Sequence, residues 1–138
     1  MATYNLATIA RYMRELDICM MVTQSKRGTL NSRPMSNNGD VKYNGNSYFF
    51  TYEGSQKIKD LEANPQVSLN FEGEKELYIS VSGKARLIRN KASFSEHWID
   101  SLKQWFPQGV DTPGMVLIQV KGSTVQYWQK NKDGKIKL

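Results

Sequence analysis

The chain has little of what metal sites, disulfides and membrane spans require. Among its 138 residues there is one cysteine, Cys19, and one histidine, His97. A single cysteine excludes an internal disulfide, and one cysteine with one histidine argues against a structural zinc site, so we predict no metal site. The longest apolar run, residues 18–22, is far too short for a membrane span, and residues 1–16 resemble no secretory signal. A reducing cytoplasm is the simplest compartment.

Signatures of nucleophilic catalysis are also missing. The chain contains no Gly-x-Ser-x-Gly sequence, and His97 falls in the middle of a predicted helix beside Trp98. Cys19 lies in an apolar run, where a buried and inert thiol is the usual outcome. No residue stands out as an obligatory acid, base or nucleophile, so the sequence leaves the catalytic residues unknown.

What is present is enough apolar sequence for one domain, spanning residues 1–138, with a basic excess. Hydrophobic residues make up 39% of the chain, 15 residues are aromatic, and the net charge is +6. Residues 121–138 hold five lysines and one aspartate. This basic balance favours an anionic partner such as nucleic acid or a phosphorylated ligand, but on charge alone we favour the simpler explanation, a lysine-rich, flexible tail over residues 129–138.

Hydrophobic periodicity predicts a mainly β, α+β domain with about three helices and six or seven strands. Tight turns join most strands, so we expect a largely antiparallel sheet, closed into a small barrel that has no exposed edges. Gly83, inside a long predicted strand, indicates a bulge. The predicted helices are 4–16, 55–63 and 91–104; the predicted strands are 18–24, 29–37, 47–53, 66–72, 77–89, 115–120 and 124–129, the last two joined as a hairpin across 121–123.

The most informative segment is the run from Phe49 to Lys57, where an aromatic strand ends, Gly54 turns the chain and a helix begins at Ser55. The first amides of a helix have no intrahelical acceptor, and the helix dipole places positive potential there. A serine hydroxyl, free amides and the Lys57 ammonium together suit a phosphate group. The alternative is that Ser55 is an ordinary N-cap.

A second polar segment, residues 31–36, places one arginine, Arg33, next to Pro34 in a predicted strand. Proline interrupts sheet pairing and leaves backbone groups free for a ligand, while a guanidinium suits a phosphate or a carbonyl. The alternative is an edge strand whose arginine is solvated.

At this point the sequence resembles the pyridoxamine 5′-phosphate oxidase-like flavoproteins, in particular their short general-stress-protein branch. The resemblance runs from the first strand to Trp128, in eight short motifs that occur in the family's order. These are Met21-Val22-Thr23, Ser32-Arg33-Pro34-Met35, Tyr48-Phe49-Phe50-Thr51, Ser55-x-Lys57, Asn64-Pro65-x-Val67-Ser68-Leu69, Val81-Ser82-Gly83-Lys84-Ala85, Trp105-Phe106-Pro107 and Tyr127-Trp128.

The resemblance implies an FMN-binding split barrel that works as a homodimer, with the flavin at the subunit interface. It implies three groups of cofactor-binding residues. The group that holds the phosphate or the pyrimidine edge is Arg33, Pro34, Met35 and Ser36. The group that lines the ribityl chain and binds the phosphate is Phe50, Thr51, Ser55, Gln56 and Lys57. The group that contacts or covers the ring, in part from the partner subunit, is Tyr78, Trp105 and Trp128.

Two departures from the vitamin-forming oxidases lead us to expect no useful oxidation of pyridoxamine phosphate. Those enzymes carry Ser-Arg-Lys where this chain has Ser55-Gln56-Lys57, and they end in an arginine-rich segment where this chain ends in lysines. Both departures remove guanidinium groups that the oxidases use.

Three hypotheses about function remain open on the sequence. The first is an FMN-dependent oxidoreductase or flavin reductase acting with a small-molecule electron donor or acceptor. The second is a non-catalytic flavin carrier or sensor. The third is a small barrel that binds single-stranded nucleic acid, supported by charge and aromatic content but disfavoured because the lysines crowd the tail instead of alternating with aromatic residues.

Overall fold

A computed structural model describes residues 4–36 and 43–138, so the end of the predicted strand at residue 37 lies outside the described residues. Most boundaries agree with the hydrophobic periodicity to within two residues. The helices are α1 (Leu6–Arg14), α2 (Gln56–Ala63) and α3 (Lys91–His97), with 3-10 turns at Asp100–Gln104 and Gly109–Asp111. The strands are β1 (Ile18–Gln24), β2 (Leu30–Ser36), β3 (Asn46–Tyr52), β4 (Gln66–Glu72), β5 (Leu77–Ile88), β6 (Met115–Gln129) and β7 (Lys132–Lys137).

The seven strands form one antiparallel sheet in the order β2-β1-β4-β5-β6-β3, with β7 also paired to β6. Along β1, β4 and β5, buried apolar side chains on the inner face alternate with more exposed residues on the outer face, which places the larger of two core clusters inside the curved sheet. The predicted mainly β, largely antiparallel α+β fold is confirmed. No helix among residues 4–36 and 43–138 is both long and apolar enough to cross a membrane.

The hairpin predicted across residues 121–123 is wrong, because β6 runs unbroken from Met115 to Gln129. Gly122 instead pairs with Gly83 where strands β5 and β6 approach each other closely. Ser82 then pairs with Thr124, so Ser123 has no partner in the register. A Cβ atom on Gly83 would lie 2.3 Å from the Lys121 carbonyl oxygen, so only glycine fits. The bulge predicted at Gly83 is confirmed. Its partner Gly122 is needed for the close approach of the two strands, although a glycine in such a sequence is also typical of a turn.

The predicted helix over 91–104 is also too long. α3 ends at His97, Trp98 is extended, and a 3-10 turn follows. The break lets the Trp98 ring pack edge-on against Phe50 and Phe106, at centroid distances of 5.6 and 6.4 Å. Packing of a large aromatic ring in the second core cluster therefore overrides helical periodicity here.

The lysine-rich end is not a frayed tail. Residues 132–137 form β7, and the Leu138 amide donates a hydrogen bond to the Ser123 carbonyl at 3.0 Å. Ile136 packs against the core, and Gly134 lies against the Tyr127 ring, where a Cβ atom would come within 2.2 Å of the phenol oxygen. Residues 132–137 alternate between half-buried and exposed positions, as a strand does, but their high lysine content favoured the prediction of a flexible tail.

Candidate functional site

The start of α2 is polar, and one of its buried polar groups lacks a hydrogen bond within the described residues. Strand β3 ends next to it, and Gly54, with a φ of +82°, turns the chain into the helix. Ser55 occupies the N-cap position, but its side chain makes no capping hydrogen bond, and its Oγ is buried without a partner among the described residues. Burying a hydroxyl without a hydrogen bond is unfavourable, so the N-cap alternative does not account for this serine.

Lys57 lies in the first turn of α2. Its Nζ donates a hydrogen bond to the Thr51 Oγ1 at 3.0 Å. Burial, followed by repulsion from the Arg33 guanidinium, lowers the pKa of Lys57 below its ordinary value. Within residues 4–36 and 43–138 no carboxylate pairs with this ammonium, so positive charge accumulates at the start of a helix whose dipole adds to it.

Arg33 projects from β2 toward the same place. Its Nη1 donates to the Thr23 Oγ1 at 2.7 Å and to the Met21 carbonyl at 3.2 Å, and its Nη2 lies 3.6 Å from the Asp60 Oδ2. Only 18% of its side chain is exposed, so the alternative of a solvated edge arginine is wrong. We refer to Arg33, Thr51, Ser55 and Lys57 together as the α2 cradle.

Asp60, which the sequence reasoning missed, organises the protein side of this cradle. The residue is 1% exposed, and its carboxylate accepts hydrogen bonds from Thr23 at 2.7 Å, Asn31 at 2.9 Å and Gln56 at 2.8 Å. Burial opposes ionisation, but these three hydrogen bonds and the Arg33 charge together hold the pKa of Asp60 below its ordinary value. The sequence did contain a signal for this role, because Asp60 lies close to Ile58 and Leu61, on the side of the helix that their apolar side chains predict to be buried.

The side chain of Gln56 therefore belongs to the Asp60 network, whereas the family resemblance implied that it binds the cofactor phosphate. Its side-chain amide donates to Asp60 and joins that network, and its backbone amide lies in the first turn, where a ligand at the helix start can accept from it. Phe50 also differs, because its ring packs edge-on against Phe94, Trp98 and Phe106 in the second core cluster.

The remaining predicted residues of β2 lie along one edge. Pro34 is opposite Met20, and Met35 is buried opposite Cys19. Ser36 is exposed and shares a groove of about 910 Å³ with Trp105, half of whose surface is exposed. The structure thus places Trp105 near the end of β2 and not in the α2 cradle.

Tyr78 and Trp128 form a separate pair. They are direct partners on β5 and β6, and both are more than 40% exposed on the outer face of the sheet. No described contact joins either ring to the α2 cradle of the same chain. Ile18 lies in the same row across the sheet, and Met20 in the next row, so this outer face carries several exposed apolar side chains.

Comparison with known proteins identifies the family of this chain. Residues 5–138 match the family model described as pyridoxamine 5′-phosphate oxidase like. General stress protein 26 of Bacillus subtilis (strain 168) is 27% identical over 96 residues, which cover 66% of this chain and 67% of that protein. The crystal structure of General Stress Protein 26 from Bacillus anthracis str. Sterne aligns with a TM-score of 0.75 and 26% identity, covering 92% of this chain and 93% of that one.

The same fold also occurs in a heme-binding protein. A heme-binding protein from Mycobacterium smegmatis aligns with a TM-score of 0.77 at 10% identity, covering 99% of this chain and 60% of that chain. At that identity the likeness extends to the fold alone, so the ligand must be argued from this chain's own residues.

Proposed function

Because this chain belongs to the pyridoxamine 5′-phosphate oxidase-like family, we propose that it is an FMN-binding flavoprotein whose cofactor phosphate is held in the α2 cradle. The observation that carries the proposal is the buried Ser55 Oγ, which has no partner among the described residues. A phosphate oxygen supplies the missing acceptor and also neutralises the cationic group beside it.

Each cradle residue has a defined part in holding FMN. Ser55 Oγ and the first-turn amides donate to the phosphate, and Lys57 adds a charge-assisted hydrogen bond from an ammonium that Thr51 already positions. Arg33 contributes positive charge from a side chain fixed by Thr23 and Asp60. When bound, FMN supplies hydride and single-electron chemistry, and the protein supplies orientation and electrostatics.

A homodimer completes the site in this proposal. Exposed apolar side chains on the outer face, with Ile18 52% and Met20 40% exposed, suit burial against a second copy. In a chain of net charge +6, two rows across five strands of this face carry no charge at all. These rows are Pro34, Met20, Asn70, Ser80 and Gln126, and Ser32, Val22, Ser68, Ser82 and Thr124.

The Tyr78–Trp128 pair follows from the same assembly. The two rings lie on the outer face, without described contact to their own cradle, so in the dimer they reach the flavin of the partner. Stacking and edge contacts from such rings suit a flat heterocycle.

The proposed activity is that of an FMN-dependent oxidoreductase or flavin reductase, with chemistry at the flavin itself. The thiol is not a reactive group, since burial raises the pKa of Cys19 to about 12. Gln56 is committed to Asp60 in place of the second phosphate cation of the vitamin-forming oxidases, so we propose a substrate other than pyridoxamine phosphate.

Titration of the purified protein with FMN, riboflavin and haemin, followed by flavin fluorescence and absorption, tests the ligand. We expect FMN to bind more tightly than riboflavin by at least about tenfold and haemin to show no saturable binding. Equal FMN and riboflavin affinities would contradict the phosphate site.

Light scattering should give the mass of a dimer. A monomer mass at micromolar protein concentration, with FMN present, would overturn the proposed homodimer. Oxidation of reduced nicotinamide by the FMN-loaded protein separates an oxidoreductase from a carrier.

A further inference from the structure

A concave site lies between α1, the β4–β5 turn and the β6–β7 turn. Its volume is about 460 Å³, within the range of small-molecule pockets. Three lysines, Lys75, Lys130 and Lys132, and two tyrosines, Tyr4 and Tyr12, line it. No carboxylate lines this pocket, and none of the three lysines forms an ion pair within the described residues. We refer to it as the lysine–tyrosine pocket.

The backbone is strained at this pocket. Within the described residues, positive φ angles outside glycine occur at Lys75 (59°), Glu76 (61°) and Lys130 (53°), and two of these three residues line the pocket. Lys130 begins the two-residue turn between β6 and β7, at a φ where glycine is free of strain. Lysine at such positions costs stability, which indicates that its side chain has a use.

The tyrosines provide a fixed flat surface beside the ammonium groups. The Tyr4 amide donates to the Tyr127 hydroxyl at 2.9 Å, and the Tyr4 hydroxyl bonds to Gln129. Its ring meets Tyr12 edge-on at 5.6 Å, and the Lys132 Nζ lies 5.4 Å from its centre. An adjoining groove, which shares Tyr12 and Lys75 with the pocket, adds carboxylate acceptors from Glu15 and Glu74.

We propose that the lysine–tyrosine pocket binds a mononucleotide: a phosphate at the lysines, a base against the tyrosine rings, and N–H groups of that base toward the acidic groove. Three ammonium groups with no carboxylate among them suit a phosphate, and an aromatic surface beside them suits a base.

Within one chain, this pocket is separate from the α2 cradle. The two sites share no residue, and they lie toward opposite ends of β4. Val22, the neighbour of Thr23 in the Asp60 network, pairs with Ser68 near the start of β4, whereas Lys75 follows its end. Variants of one site and of the other therefore test the two proposals separately.

Calorimetric titration with AMP and adenosine tests the proposal. The variant Lys75→Gly/Lys130→Gly removes two ammonium groups and relieves two strained positions. We expect it to weaken AMP binding by at least about fivefold, with Tm unchanged or higher. The control Lys103→Gln/Lys121→Gln removes the same charge from exposed positions outside the pocket and should leave AMP affinity within about twofold.

Four results would overturn the proposal. The first is the absence of saturable AMP binding to wild type, and the second is adenosine binding as tightly as AMP. The third is AMP binding that is lost in Lys57→Ala but kept in Lys75→Gly/Lys130→Gly, which assigns the nucleotide to the cradle. The fourth is affinity for oligoadenylate that rises with chain length, which assigns the surface to a nucleic-acid strand.

Discussion

Two neighbouring polar regions of this molecule differ in how completely their groups are satisfied. Around Asp60, a buried carboxylate accepts three hydrogen bonds and faces Arg33, so each buried group has a partner. One helical turn earlier, Ser55 Oγ is buried without a described partner, and among residues 4–36 and 43–138 the Lys57 ammonium donates to a neutral hydroxyl and meets no carboxylate.

The difference separates structure from recognition. A fully satisfied polar network fixes the geometry of the elements that it joins, here β1, β2 and α2. An unsatisfied donor next to an unpaired cation costs stability in the ligand-free protein, and an anion that supplies both complements recovers that cost. Removing a group from the first region should therefore damage the fold, and removing one from the second should damage binding.

The largest expected effect is on stability, from Asp60→Ala. Loss of the carboxylate leaves Thr23, Asn31 and Gln56 without their acceptor and Arg33 without its counter-charge. We expect a loss of about 3–5 kcal/mol in the free energy of unfolding, measured by urea denaturation. Glu62→Ala, which removes an exposed acid from the same helix, is the matched control and should cost under about 0.5 kcal/mol. A variant of Asp60 as stable as that control would contradict the structural role.

The next largest effect is on FMN affinity, from Lys57→Ala. Loss of a charge-assisted hydrogen bond should weaken FMN binding by about 10- to 150-fold, while riboflavin binding barely moves because it has no phosphate. Lys59→Ala, two residues along the same helix and exposed, is the control for charge alone. Equal losses for both flavins would mean that Lys57 acts on the fold or on the ring.

A smaller effect is expected from Ser55→Ala. Because the Ser55 side chain makes no capping hydrogen bond, its removal should leave the stability of the flavin-free protein unchanged or slightly higher. FMN affinity should fall by about two- to tenfold, the share of one neutral hydrogen bond. Thermal denaturation with and without FMN measures both; destabilisation of the flavin-free protein would show that Ser55 is a structural cap.

The smallest effect is on the pH dependence of binding. The pKa of Lys57 is lowered in the ligand-free protein, and a phosphate stabilises the protonated form, so FMN binding should raise that pKa and take up protons. Affinity should accordingly fall as pH rises through the lowered pKa. FMN titrations at several alkaline pH values measure this fall in affinity, and the Lys57→Ala variant should not show it. If the variant keeps the same pH dependence, a group other than Lys57 causes it.

Local patterns predicted most of the fold and three of the four cradle residues, and the family resemblance supplied the fourth, Thr51. Alternation and turn residues predicted every strand region except β7, and the Gly54–Lys57 segment pointed to the helix start. The errors came from long-range contacts: Gly122 serves a close strand crossing rather than a turn, and Trp98 leaves α3 to pack on Phe50. Asp60 was missed because its partners Thr23 and Asn31 are distant in sequence.

A crystal structure of the protein in complex with FMN tests the central claim most directly. The account predicts phosphate oxygens within about 3 Å of Ser55 Oγ and Lys57 Nζ, with the Asp60 network unchanged. A phosphate held elsewhere, with Ser55 Oγ still without a partner, would contradict it.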